Sequence, residues 1–169
     1  YFYALAAATG KRAMVKRMRK ESLQGDMKFI SLLEKMGCTI SWERDGRQNL
    51  WLKGPDGKLK GMEVKMSDFS DQALTLAAIA PFADSEVTIK GIAHIRGQES
   101  DRIKVIVDEL AKMGILCNEL PDGVKIHPGT PKNTNIETYN DHRVAMSFAV
   151  TGLAGDGMTI LNPMCCKKT

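Results

Sequence analysis

The sequence has no C-x-x-C pair, no apolar run of membrane-spanning length, few aromatic residues and no dominant charge of either sign. Each absence closes a class of reading. The four cysteines are Cys38, Cys117, Cys165 and Cys166. One adjacent pair and two isolated residues make a poor zinc or disulfide framework, so reduced thiols in a cytoplasmic protein are expected. The longest apolar run, Ala73 to Ala83, is about half of the ~20 residues that a membrane-crossing helix requires. An aromatic content of 6% leaves few platforms on which nucleic-acid bases stack. The net charge of +4 suits an anionic small molecule as well as a nucleic acid and selects neither. The apolar opening from Tyr1 to Ala8 follows no basic segment, and no signal peptide is expected. Both ends read as cut: the chain opens on Tyr1 and stops at Thr169, after two lysines. Residues 1–169 are therefore expected to form a single domain fragment, incomplete at both ends.

What is present is an ordinary globular composition, 43% hydrophobic and 26% charged, arranged as a repeat. Asp26 to Gly37 and Asp101 to Gly114 read as copies of one amphipathic helix. Phe29, Leu32, Leu33 and Met36 share a face in the first, as do Ile103, Ile106, Leu110 and Met113 in the second. Gly37 and Gly114 fall where a helix ends in a left-handed residue. A hairpin is expected after each: Trp42 to Leu52, turning near Asp45-Gly46, and Cys117 to Ile126, turning at Asp122-Gly123. Between them lie helices apolar nearly all round, Asp71 to Ala80 and Asp141 to Val150, leading to the strands Val87–Ile89 and Met158–Ile160. The opening Tyr1 to Ala8, followed by Met14 to Lys16, reads as a further copy. The repeating unit is strand, buried helix, strand, amphipathic helix, hairpin. This predicts an α/β (α+β) fold of βαβαββ units with helices buried between sheets.

The residues capable of chemistry gather at helix starts. Ser70 and Asp71 open one buried helix, and Asn140, Asp141, His142 and Arg143 open the other. Glu99, Ser100, Asp101 and Arg102 open an amphipathic helix, and Gln24, Gly25 and Asp26 open the earlier one. Ser, Asp and Asn are ordinary helix caps, and capping accounts for most of these carboxylates. An arginine in a first turn opposes the helix dipole, so Arg102 and Arg143 are expected to meet an anion there. A salt bridge to Glu99 or Asp141 is the plain alternative. Of the histidines, His94 and His127 read as surface or hairpin positions and only His142 as a candidate. The stretch Lys11 to Lys20 carries six basic residues. It reads as a strand and turn with a solvated face, and less readily as a nucleic-acid or membrane patch.

Four motifs resemble those of the 5-enolpyruvylshikimate-3-phosphate synthase family. Arg96-Gly-Gln-Glu-Ser-Asp-Arg102 is similar to R-x-K-E-(S/T)-D-R, and Thr138-Tyr-Asn-Asp-His-Arg-Val-Ala-Met146 to T-Y-(N/D)-D-H-R-(M/V)-A-M. Asn162-Pro-Met-Cys-Cys-Lys-Lys-Thr169 is similar to the terminal (D/N)-P-x-C-x-x-K-T run, and Ser22-Leu-Gln-Gly-Asp26 to S-x-Q-G-D. The motifs span nearly the whole chain in the family's order. The resemblance implies one domain of a two-domain enolpyruvyl transferase, with the active site in the cleft between the domains.

The resemblance also implies roles. Asp71 takes the place of the proton acceptor near the shikimate 5-hydroxyl, and Glu99 that of the proton donor to the enolpyruvyl methylene. Arg102, Arg143 and Lys168 take those of the cations that hold phosphoenolpyruvate, with His142 beside them. Gln98 stands where the family has a lysine contacting shikimate 3-phosphate, so a cation has become a neutral amide. No metal or organic cofactor is implied. The expected partners are phosphoenolpyruvate, shikimate 3-phosphate and the second domain of the same protein, with neither nucleic acid nor membrane. The fragment alone is expected to be inactive. Two rival readings stay open: the related transferase acting on UDP-N-acetylglucosamine, and a non-catalytic basic binding module.

Overall fold

The computed structural model describes residues 1–19, 22, 24–43 and 48–168. Its centre is an ordered unit: strand β4 (Met62–Lys65), helix α3 (Ala73–Ile79), strand β5 (Val87–Lys90), helix α4 (Arg102–Lys112) and the hairpin β6 (Cys117–Leu120) to β7 (Gly123–Ile126). These strands form one sheet in the order β4-β5-β7-β6. β4 and β5 are parallel and the remaining pairs antiparallel. A parallel pair needs a crossover connection, and α3 supplies it.

The same plan recurs on either side. Helix α1 (Phe2–Thr9), strand β1 (Arg12–Val15), helix α2 (Asp26–Lys35) and the pair β2 (Thr39–Trp42) and β3 (Leu50–Lys53) give a sheet of order β1-β3-β2. This copy has the second strand, second helix and hairpin of the central unit without its leading strand. On the other side, the parallel strands β8 (Asn135–Ile136) and β9 (Thr159–Ile160) flank helix α5 (His142–Ala154), and a 3-10 turn follows over Pro163–Lys168. The predicted unit is therefore complete once. The expected turn near Asp45-Gly46 lies outside the described residues.

Patterning explains which helices lie inside. Every residue of α3 is buried, as a helix apolar in six of its seven residues requires. α1 and α5 pack against α3 and against each other. Their few polar groups are paired: Thr151 Oγ1 donates to the Ala78 carbonyl at 2.7 Å, and the hydroxyls of Thr75 and Ser147 lie 3.4 Å apart. The predicted faces of α2 and α4 are the buried ones, Phe29, Leu32, Leu33 and Met36 in the first and Ile103, Ile106, Leu110 and Met113 in the second. Gly37 and Gly114 take φ of 102° and 77° after the two helices, a backbone region that glycine enters without steric cost.

Two expectations need correction. Asp71 does not open an α-helix: Ser70–Gln72 is a 3-10 turn, and α3 starts at Ala73. α5 runs on past Val150 to Ala154. His94 is exposed, as the surface reading expects, in a 3-10 turn over Ala93–Gly97. Strands β4 and β8 carry four and two residues, too few for an alternating pattern to announce them.

Over residues 11–19 the basic stretch behaves as the plain reading expects, as strand β1 and a turn. Arg12 lies over the Trp51 ring, 4.7 Å from its centroid. Among the described residues, no helix is long and apolar enough to cross a membrane.

Candidate active site

The second and third units meet at the N-terminal ends of α3, α4 and α5. Arg102 is the first residue of α4, His142 and Arg143 are the first two of α5, and Asp71 precedes α3 in its 3-10 turn. Residues far apart in sequence thereby come into contact.

Arg102 is the hub. Its side chain is 4% exposed and that of Asp141 is 0% exposed. Nε donates to Asp141 Oδ2 at 2.8 Å and Nη2 to Oδ1 at 3.3 Å, a bidentate clamp. Nη1 donates to Gln98 Oε1 and, at 3.5 Å, to Asp71 Oδ1. Arg143 completes the link, with Nη2 donating to Asp71 Oδ2 at 3.0 Å and Nη1 to the Asp71 carbonyl at 3.5 Å. The anions that the two arginines meet within this chain are thus protein carboxylates, and the plain salt bridge to Asp141 exists. Planar guanidinium groups suit this arrangement because several donors diverge from one fixed fork.

Asp141 has two duties. It caps α5, accepting from the Arg143 backbone N–H at 2.9 Å, and it accepts from Ser100 Oγ at 3.1 Å. Burial alone would raise its pKa. The hydrogen bonds and charge of Arg102, the Arg143 N–H and Ser100 together hold it below the ordinary value. A depressed carboxylate contributes stability that is full above its unfolded pKa of about 3.9 and is lost as pH falls through the lower folded value. Asp141→Asn is accordingly expected to flatten the acid limb of the stability–pH profile below about pH 4. Urea unfolding midpoints across that range check this, and parallel acid limbs in both proteins would refute it.

Glu99 and His142 form a neighbouring pair, Oε2 lying 3.3 Å from Nδ1. Glu99, Asp141 and His142 each place a ligand-type atom within 4.8 Å of the others. The two oxygens of Asp141 already accept from Arg102, Ser100 and Arg143. The cluster is better described as part of the ion network than as a metal site, since a divalent cation would have to displace the buried guanidinium.

The sequence-predicted residues thus fall into three groups. Asp71, Gln98, Glu99, Arg102, His142 and Arg143 are brought together. Lys168 ends the 3-10 turn that packs on α5. His127 lies elsewhere, within 2.8 Å of Asn118 and 3.1 Å of Glu86. His94, a surface position by sequence, has its Nε2 2.8 Å from Ser70 Oγ, next to Asp71. Only the sheet connection that places Ala93–Gly97 beside Ser70–Gln72 shows this. Asp101 is a true cap, accepting from the Lys104 N–H at 3.0 Å. Burial pushes the Cys38 thiol up to about 11 and Cys117 up to about 12, so neither is an activated nucleophile.

Comparison with known proteins supplies the family. The family model described as EPSP synthase (3-phosphoshikimate 1-carboxyvinyltransferase) matches residues 1–169. A 3-phosphoshikimate 1-carboxyvinyltransferase of Nostoc punctiforme is 48% identical over 169 residues, covering 100% of this chain and 39% of the relative. A second, from Halalkalibacterium halodurans, is 44% identical over 171 residues, covering 100% of this chain and 38% of the relative. The structure of EPSP synthase from Acinetobacter baumannii superimposes with a TM-score of 0.78 at 27% identity, covering 97% of this chain and 40% of that one. The chain spans about two fifths of the length of these relatives. With its complete βαβαββ unit flanked by partial copies, and matched by the family model over its whole length, the chain belongs to the EPSP synthase family.

Proposed function

We propose that residues 1–169 form part of one domain of a two-domain enzyme that transfers the enolpyruvyl group of phosphoenolpyruvate to the 5-hydroxyl of shikimate 3-phosphate. The observation that carries this reading is the convergence of Asp71, Glu99, Arg102, His142 and Arg143, from separate repeat units, on one end of the helices. Had they lain on unrelated sides of the molecule, the reading would have ended there.

The chemistry fits the groups. Asp71, half exposed beside two arginines, accepts the proton of the attacking hydroxyl as its oxygen bonds to C2 of phosphoenolpyruvate. Glu99 protonates the methylene carbon, giving a tetrahedral ketal that still carries phosphate. Loss of phosphate and of one methyl proton then restores the enol ether. Arg102 and Arg143 serve the phosphate and carboxylate of phosphoenolpyruvate, with His142 against Glu99, and the motif resemblance gives Lys168 a share in that role. The charges already present explain why a second domain is needed. Arg102 and Arg143 are largely balanced by Asp71 and Asp141, so two multiply charged substrates require further cations from the opposing side.

An apolar groove between α1 and α5 supports a larger protein. Phe2 and Leu153 are 75% and 71% exposed, and Tyr1, Leu5, Met146, Ala149 and Val150 line the floor. An exposed patch of this kind suits an internal contact with the remainder of such an enzyme.

A coupled phosphate-release assay on the two-domain protein tests the reaction. Phosphate appearing only when both phosphoenolpyruvate and shikimate 3-phosphate are supplied is expected; release indifferent to the shikimate compound would refute the proposal. This chain alone is expected to show no turnover. Gln98 adds a finer test. Its amide cannot neutralise a phosphate, so Gln98→Lys is expected to lower KM for shikimate 3-phosphate by roughly tenfold while changing KM for phosphoenolpyruvate little. An unchanged acceptor KM would show that this position does not face the acceptor.

A further inference from the structure

Helix α4 carries a second buried charge that the catalytic reading leaves unused. Glu109 is 0% exposed, seven residues beyond Arg102 and therefore on the same helical face, since seven residues is close to two turns. Arg102 and Glu109 both point at the short link between β8 and α5, residues 137–141. Arg102 holds Asp141 at the end of this link. Glu109 holds its start and middle: Oε1 accepts from the Tyr139 hydroxyl at 2.8 Å and Oε2 from the Glu137 N–H at 3.3 Å. Lys112 Nζ donates to Oε1 at 2.7 Å and supplies the balancing charge.

The link has a reason to need holding. Tyr139 and Asn140 take φ of 52° and 56°, and two consecutive non-glycine residues in the left-handed region are costly without outside support. Local bonds supply part of it: the Asp141 N–H donates to the Thr138 carbonyl at 2.8 Å, and Thr138 Oγ1 to the Asn162 carbonyl at 3.4 Å. The left-handed pair reverses the chain so that Asp141 caps α5 while facing Arg102. If the link relaxed, Asp141, His142 and Arg143 would shift together, because they are consecutive.

We infer that Glu109 is a positioning residue for phosphoenolpyruvate: through Tyr139 and the Glu137 N–H it fixes the left-handed link that sets Asp141, Arg102, His142 and Arg143. This rests on the proposed reaction and adds to it a residue that touches no substrate. Burial and the Glu109 carboxylate both push the Tyr139 phenol up, so this hydroxyl stays a donor throughout the working pH range.

The test uses the two-domain protein and the variants Glu109→Leu, Glu109→Gln and Tyr139→Phe. Glu109→Leu strands no buried charge, because the partner Lys112 is 42% exposed, and thermal midpoints measured beside KM separate positioning from stability. The expected result is a KM for phosphoenolpyruvate raised about tenfold in Glu109→Leu and about threefold in Tyr139→Phe, with KM for shikimate 3-phosphate unchanged within about twofold. Glu109→Gln keeps an acceptor for the tyrosine hydroxyl and is expected to restore most of the affinity lost in Glu109→Leu. Equal losses for both substrates, or losses that merely track a fallen thermal midpoint, would make Glu109 a structural residue only and overturn the inference. Absence of turnover in the unaltered protein would instead refute the proposed reaction, a separate outcome visible in the control.

Discussion

Changing Arg102 to methionine is expected to destabilise the fold by about 3–5 kcal/mol, because it leaves Asp141 as a buried carboxylate without its cation. Both groups are almost wholly enclosed, with side-chain exposures of 4% and 0%, so water cannot take over the lost contacts. The same change is expected to lower turnover of the two-domain protein by about two to three orders of magnitude, as loss of a preorganised charge at a phosphate-expelling site usually does. A double variant separates the effects. Adding Asp141→Asn removes the stranded charge, and most of the stability is expected to return while turnover stays low. Urea unfolding and phosphate release measured on the same preparations decide the matter. If Arg102→Met were as stable as the unaltered protein, the buried pair would not be what joins the second and third units.

The second large effect belongs to Asp71. Asp71→Asn keeps shape and acceptor capacity toward Arg143 but removes the proposed base. Turnover is expected to fall by about two to four orders of magnitude, the usual worth of a general base. Stability is expected to change by less than about 1 kcal/mol, because the carboxylate is half exposed and its ion pairs are partly screened. Values of KM for both substrates should stay within a few-fold, which marks a group used in the transition state and not in binding. A variant that loses affinity in proportion to turnover would recast Asp71 as a ligand for the arginines alone.

These two residues show how unevenly the site could be read in advance. Asp71, Asp101 and Asp141 are the same residue type near helix starts, and capping is the first expectation for each. Asp101 and Asp141 do cap, α4 and α5 respectively. Asp71 does not, because the chain enters α3 through a 3-10 turn, leaving its carboxylate to Arg143 and Arg102. Asp141 was legible as a cap and as one plain partner for an arginine, but not as the fully buried half of a clamp. Glu109 was invisible: an acid between Asp108 and Leu110 on a helix that is polar on one side reads as a solvated position. His94 needed the tertiary neighbour Ser70 to matter.

Local information alone determined the main helices and their buried faces. Hydrophobic spacing marked the buried faces of α2 and α4, all-round apolarity marked α3 and the core of α5, and Gly37 and Gly114 marked where the amphipathic helices stop. These are properties of a chain segment and its own neighbours, so the sequence states them directly. The tertiary structure decided which charges share a partner. Asp71 and Arg143 are 72 residues apart, and Arg102 and Asp141 39 apart, and the packing of three repeats about α1, α3 and α5 brings them within hydrogen-bond reach. Whether a carboxylate caps a helix, clamps an arginine or waits for a proton depends on burial and on what lies opposite, and both are set only when the units pack.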